Sequence, residues 1–149
     1  MFKNTMPNLP PPTAGYSKRS LIEKLGIKAG YHLAILHAPA DYAQTLGPLP
    51  FDVVQVTELG GEPLDFVHFF TTQRAELVAN FLALKASLKP AGMLWISWPK
   101  RTAKVIPSDL DENMIRDIGL SNGLVDVKVA AVDVTWSGLK FVYRLQDRK

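Results

Sequence analysis

Residues 31–42 read YHLAILHAPADY. The near-continuous apolar run at 31–36 is typical of a strand buried on both faces. Pro39 suits the first position of a helix, where its missing N–H costs nothing. Asp41 in that first turn favours the helix dipole by about 0.3–1 kcal/mol. A buried strand running straight into a helix is the opening of a βα unit. The same junction is where open α/β proteins hold ligands against a helix N-terminus, commonly on a glycine-rich loop. Here positions 37–40 are His, Ala, Pro and Ala, with no glycine.

The pattern extends in both directions. Upstream, Ser17 reads as a helix N-cap, Leu21, Ile22 and Leu25 share a face, and Gly26 suits the C′ position. Residues 1–14, with their PNLPPPT run, read as a flexible proline-rich tail, leaving 15–149 as a single domain. Downstream, the sequence predicts a helix at 40–46 and a strand at 51–56. The loop TELGGEP (57–63) and a strand at 64–70 follow. A helix at 73–88 carries the stripe Leu77, Phe81, Leu84 and Leu88, with Thr72 as its cap. A strand at 93–97 precedes a second long helix that begins at Ser108, with Asp111 in a capping-box position. Val125, Val127 and Val129 alternate with polar residues, a bulge is expected at Ala130-Ala131, and residues 135–138 form a turn into a strand at 139–145. Strands alternating with helices imply a doubly wound, mainly parallel Rossmann-like α/β sheet, here ending in an antiparallel β-hairpin.

Bulk properties remove several classes of function. The chain has 149 residues, 47% hydrophobic and 21% charged, an ordinary globular composition. It has no cysteine, which excludes disulfides, thiolate zinc sites and cysteine nucleophiles and fits a reducing cytoplasm. The N-terminus lacks the apolar stretch of a secretory signal, and no run approaches the ~18 apolar residues that span a membrane. Three histidines without close pairing give no zinc spacing. A net charge of +3 is too small to argue for nucleic acid. No acid occurs between residues 77 and 108, where Lys85, Lys89, Lys100, Arg101 and Lys104 fall; Asp109, Asp111, Glu112 and Asp117 follow.

The stretches EKLGIKAGYHLAIL and LKPAGMLWIS and the closing hairpin resemble the first strand, the fifth strand and the last two strands of class I S-adenosylmethionine-dependent methyltransferases. More closely, residues 15–142 resemble a small bacterial family of unknown function. The shared motifs stand here as GYSKRSLIEKLGIKAG, HAPADY, TTQRAEL, LWISWPK, SDL and GLVDVKVAAVDVTWSGLKFV. The resemblance implies a trimmed Rossmann-like fold and brings no catalytic residues with it. Against the methyltransferase pattern the chain departs at the cofactor in three ways. The glycines that let a backbone take positive φ are replaced at 37–40, with Pro39 fixed in φ and unable to donate. Only Glu58 stands near the position of the acid expected after the second strand. A helix and a strand that normally follow are missing. These departures predict that no cofactor binds and argue against S-adenosylmethionine.

If the strand order follows the methyltransferase pattern, the strand ends bring His37, Thr71, Thr72, Arg74, Ser97, Trp98, Lys100 and Arg101 to one edge, and the turn adds Trp136 and Ser137. Trp98 and Trp136 would then be neighbours, and with the cations they would form a groove for an anionic planar ligand or an acidic partner segment. Each residue also has a structural reading. His37 is either a base oriented by Asp41 or a strand-end side chain bonded to backbone. The tryptophans serve either packing or recognition, and Lys100 and Arg101 are either a solvated loop or an anion clamp. The expected function is therefore a non-catalytic Rossmann-like module binding a small anionic ligand or a protein partner. The alternatives are a degenerate methyltransferase-like enzyme with an altered cofactor site, and a structural subunit using the sheet edge at 51–56.

Overall fold

A computed structural model describes residues 19–103 and 106–148. The expected tail at 1–14 and the cap at Ser17 lie outside these. The elements are α1 (Leu21–Leu25), β1 (His32–Leu36), α2 (Tyr42–Leu46), β2 (Val54–Val56), β3 (Leu64–Phe70), α3 (Arg74–Ala86), β4 (Leu88–Pro99), α4 (Glu112–Ser121), β5 (Leu124–Ala131) and β6 (Trp136–Tyr143). They form one six-stranded sheet in the order β2-β1-β3-β4-β6-β5. Strands β1 to β4 are mutually parallel, and β6 is antiparallel to both of its neighbours. The predicted doubly wound sheet with a closing hairpin is what forms.

Alternating side chains divide the interior into two cores, one on each face of the sheet. On one, Leu77, Phe81 and Leu84 of α3 and Ile115 and Ile118 of α4 pack on Val67, Phe69, Leu94, Ile96 and Phe141. On the other, Leu25 of α1 and Tyr42 and Leu46 of α2 pack on Leu33, Phe66, Phe70 and Trp95. Burial on both faces is why the central strands are continuous apolar runs. Among the described residues no helix is long and apolar enough to cross a membrane.

Several boundaries move, each for a local reason. Ser20 caps α1 in a full capping box with Glu23. Helix α2 begins at Tyr42, two residues later than predicted, with Asp41 at the N-cap position but making no side-chain cap bond. Strand β2 is three residues long, because Phe51 accepts from the Gly30 N–H at 3.0 Å and Asp52 takes a φ of 64°, turning the chain at 51–52. Thr72 does not cap α3. Its carbonyl accepts from Ser108 Oγ at 2.8 Å, and Asp109 Oδ1 accepts from the Arg74 N–H at 2.8 Å. Asp111 is the N-cap of α4 and accepts from the Met114 N–H at 2.9 Å. The hairpin bulge lies between Asp126 and Lys128 rather than at Ala130-Ala131. The hairpin turn lies before residue 136, because Asp133 Oδ1 accepts from the N–H groups of both Thr135 and Trp136 at 2.8 Å, an Asx-type turn.

Candidate functional site

The parallel strands β1 and β3 are neighbours in register from Leu33↔Phe66 to Leu36↔Phe69. Their C-terminal ends deliver His37 and Thr71 to one edge. His37 has a φ of 59°, a region that residues with a side chain avoid at a cost of about 1–3 kcal/mol. Its Nδ1 lies 3.5 Å from Glu76 Oε2, and its ring sits 5.0 Å from that of Phe69. Glu76 is fixed in turn, because its other oxygen accepts a short hydrogen bond from the Thr71 hydroxyl. The His37–Glu76 approach is an ion-pair distance with no hydrogen bond between the two groups, and the His37 side chain is half-exposed.

The orienting acid predicted for His37 was Asp41; the structure supplies Glu76 instead. The signal for it was an acid in the third position of a helix directly after a strand, within TTQRAE. Asp41 remains at this edge as an exposed carboxylate. Glu58, also exposed, lies apart from it, in a pocket with His32, Val54, Glu62 and Leu64 at the starts of β1 and β3.

The expected aromatic groove is not assembled. Trp98 is 5% exposed and belongs to the α3/α4 core, whereas Trp136 is 7% exposed and belongs to the α1/α2 core. In the β4–β6 ladder Trp98 opposes Ser137 and Pro99 opposes Trp136, so the two indoles point to opposite faces. Ser137 is accordingly a strand residue, not a turn residue. Lys100 Nζ donates to the Asp133 carbonyl at 2.9 Å, and Arg101 pairs with Asp111 at 3.2 Å. Both border a pocket of about 260 Å³ with Ser108 and Leu110, to which neither tryptophan contributes. Arg74 lies elsewhere, in a cleft of about 310 Å³ between α3 and α4 with Val78, Met114 and Asp117. Thr72 serves as the backbone tie described above.

Beneath the strand-end site runs a buried polar chain. The Tyr42 hydroxyl lies 2.7 Å from His68 Nδ1, and His68 Nε2 lies 2.6 Å from the Ser97 hydroxyl. One ring nitrogen donates and the other accepts, so the chain runs in a single sense. His68 and Ser97 are fully buried, which removes Ser97 from nucleophilic chemistry. The chain ties α2, and with it the junction at 37–41, to β3 and β4. Burial raises the Tyr42 hydroxyl above its ordinary value and lowers His68 from 6.5 to about 3. The unfolded chain therefore takes a proton at this residue near pH 6.5, and the folded chain does so only near pH 3. Stability is full above the first value and falls through the window between them, by up to about 1.4 kcal/mol per pH unit. Urea midpoints at pH 7 and pH 5 should fall more steeply for the wild type than for His68→Gln. Equal slopes would contradict the neutral buried histidine.

A sheet in this order, with its antiparallel strand beside β4, defines a Rossmann-like sheet of the class I methyltransferase type. Among solved structures, the chain is similar to a SAM dependent methyltransferase from Aquifex aeolicus, with a TM-score of 0.59 at 16% identity over 81% of this chain and 86% of that one. The DhpI–SAH complex gives 0.57 at 10% identity over 85% and 83%. Magnesium protoporphyrin IX methyltransferase from Synechocystis PCC 6803 with bound SAM gives 0.53 at 13% identity over 83% and 74%. No protein-family model and no curated protein matches the chain. The likeness is one of fold. It nevertheless corrects the expectation that there is no cofactor and that S-adenosylmethionine is disfavoured, because chains built on this sheet are complexes with SAH and SAM. The physical reason lies at His37. The positive φ that a glycine would supply is adopted here by His37.

Proposed function

We propose that this protein is methyltransferase-like and binds S-adenosylmethionine at the C-terminal ends of β1 and β3, in a pose altered by the HAPADY junction. The observation that carries this reading is His37, held at a φ of 59° where the ligand loop of such a sheet lies. One donor at this edge fits the group: Asp41 is an exposed carboxylate, suited to the ligand's hydroxyl or ammonium groups. When bound, the cofactor supplies an electrophilic methyl group. The chain's part is proton management, with Thr71 fixing Glu76, Glu76 standing beside His37, and the His37 imidazole taking the proton from an acceptor N–H or O–H. This replaces the expected non-catalytic module, whose aromatic groove does not form.

S-adenosylhomocysteine should raise the melting temperature and shift backbone amide resonances at residues 36–42 and 71–76. A saturating excess of about 100-fold over Kd corresponds to ~2.7 kcal/mol of stabilisation. No stabilisation, or shifts confined to other surfaces, would overturn the assignment.

A further inference from the structure

Away from the strand-end site, the α1 face of the sheet gathers amines. Lys128 and Lys140 stand directly opposite each other in the β5–β6 ladder, and Lys140 in turn opposes Trp95 of the α1/α2 core. Lys128 Nζ reaches across to donate to the Lys24 carbonyl in α1 at 2.8 Å, bringing the hairpin cations over the last turn of that helix. Lys140 is held below the ordinary lysine value by partial burial, then by Lys128 and Lys28. Lys128 is lowered by partial burial, then by Arg19 and Lys24. Cations from α1, the turn after it and both hairpin strands thus lie in one another's fields.

None of Lys24, Lys28, Lys128 and Lys140 forms an ion pair among the described residues. The ion pairs there use His32, His37, Lys89, Arg101 and Arg116. Like charges directly opposite in a ladder are destabilising, and partial desolvation adds to that cost. The hairpin's carboxylate Asp126 is bonded to Arg116 instead. Folding accounts for one of these amines, Lys128, through its bond to the last turn of α1, and leaves the facing Lys140 without such a return, whereas a surface that receives an anion gains from both.

We propose that Lys24, Lys28, Lys128 and Lys140 form a binding site for a compact, multiply charged phosphate group. Lysine acts toward phosphate as a point charge, and a group carrying two or more negative charges neutralises several converging amines at once, as a single carboxylate does not. The site uses none of the strand-end residues, so it stands or falls independently of the proposed cofactor.

The test titrates the full chain at about 50 mM salt with inorganic pyrophosphate, a single-stranded oligonucleotide and poly-glutamate. Saturable pyrophosphate binding is expected, at least tenfold weaker in Lys140→Gln and in the exposed Lys28→Gln. The melting temperatures of the anion-free variants should equal or exceed that of the wild type, because repulsion is relieved. Binding of pyrophosphate alone assigns a free phosphate anion. Tighter oligonucleotide binding, lost in the same variants, would overturn the compact, multiply charged ligand, because each backbone phosphate carries a single charge. No binding, equal binding of poly-glutamate, or unchanged affinity in both variants would overturn the proposal.

Discussion

Trp95→Ala should remove about 3–5 kcal/mol of stability. Trp95 is fully buried at the centre of the sheet, and its Nε1 donates to the Leu25 carbonyl at 2.9 Å. The substitution opens a cavity beneath α1 and leaves that helix-end carbonyl without its donor. A domain of this size has about 5–15 kcal/mol in total, so the melting temperature should fall by roughly 10–20 °C. Trp95→Phe keeps most of the ring and loses mainly the hydrogen bond, so it should cost about 1–2 kcal/mol. Urea unfolding of the two variants checks both values. Equal losses in the two would show that the hydrogen bond, not the packed volume, holds α1.

Gly119→Ala should be nearly as damaging, at about 3 kcal/mol, by the opposite mechanism. Gly119 is buried in α4. A Cβ added there would lie 2.6 Å from Cδ1 and Cζ of Phe141. The Phe141 ring cannot retreat, because it is fully buried and packed edge-on to Phe81 at 5.8 Å. The gain in helix propensity from Gly to Ala, about 1 kcal/mol, does not offset this clash. Phe141→Leu should relieve it, so the double variant should lose less stability than the sum of the two single variants, by about 1 kcal/mol or more. Strict additivity would show that α4 moves away from the sheet instead of meeting the ring.

These two contacts illustrate what a linear reading captures. The apolar run at 31–36, the stripe through Leu77, Phe81 and Leu84, and the hairpin valines carry their own periods, so the order of elements and the sheet type are legible without coordinates. Contacts between distant segments are not. Asp109 caps α3 from 35 residues away, and no pattern around Thr72 reveals that. The position of Trp136 depended on the Asp133 turn. A one-residue change in where the strand begins decides which face each side chain takes, which is how the indoles of Trp98 and Trp136 come to lie on opposite sides.

The candidate site was legible as a place more than as a set of partners. The strand-to-helix junction after β1 marked the edge, and His37 was identified there. Its orienting acid was assigned to the near neighbour Asp41, whereas the fold brings Glu76 across from α3. The absence of glycine from 37–40 suggested a lost ligand loop, but the strained backbone at His37 was not visible in the sequence. The amine cluster was equally hidden, since Lys128 and Lys24 are 104 residues apart.

Calorimetric titration of the purified chain with S-adenosylhomocysteine decides whether the junction after β1 holds a cofactor. Saturable one-site binding tighter than ~0.1 mM, about −5.5 kcal/mol, is expected. An absence of heat, under conditions where a control methyltransferase titrates normally, would contradict it.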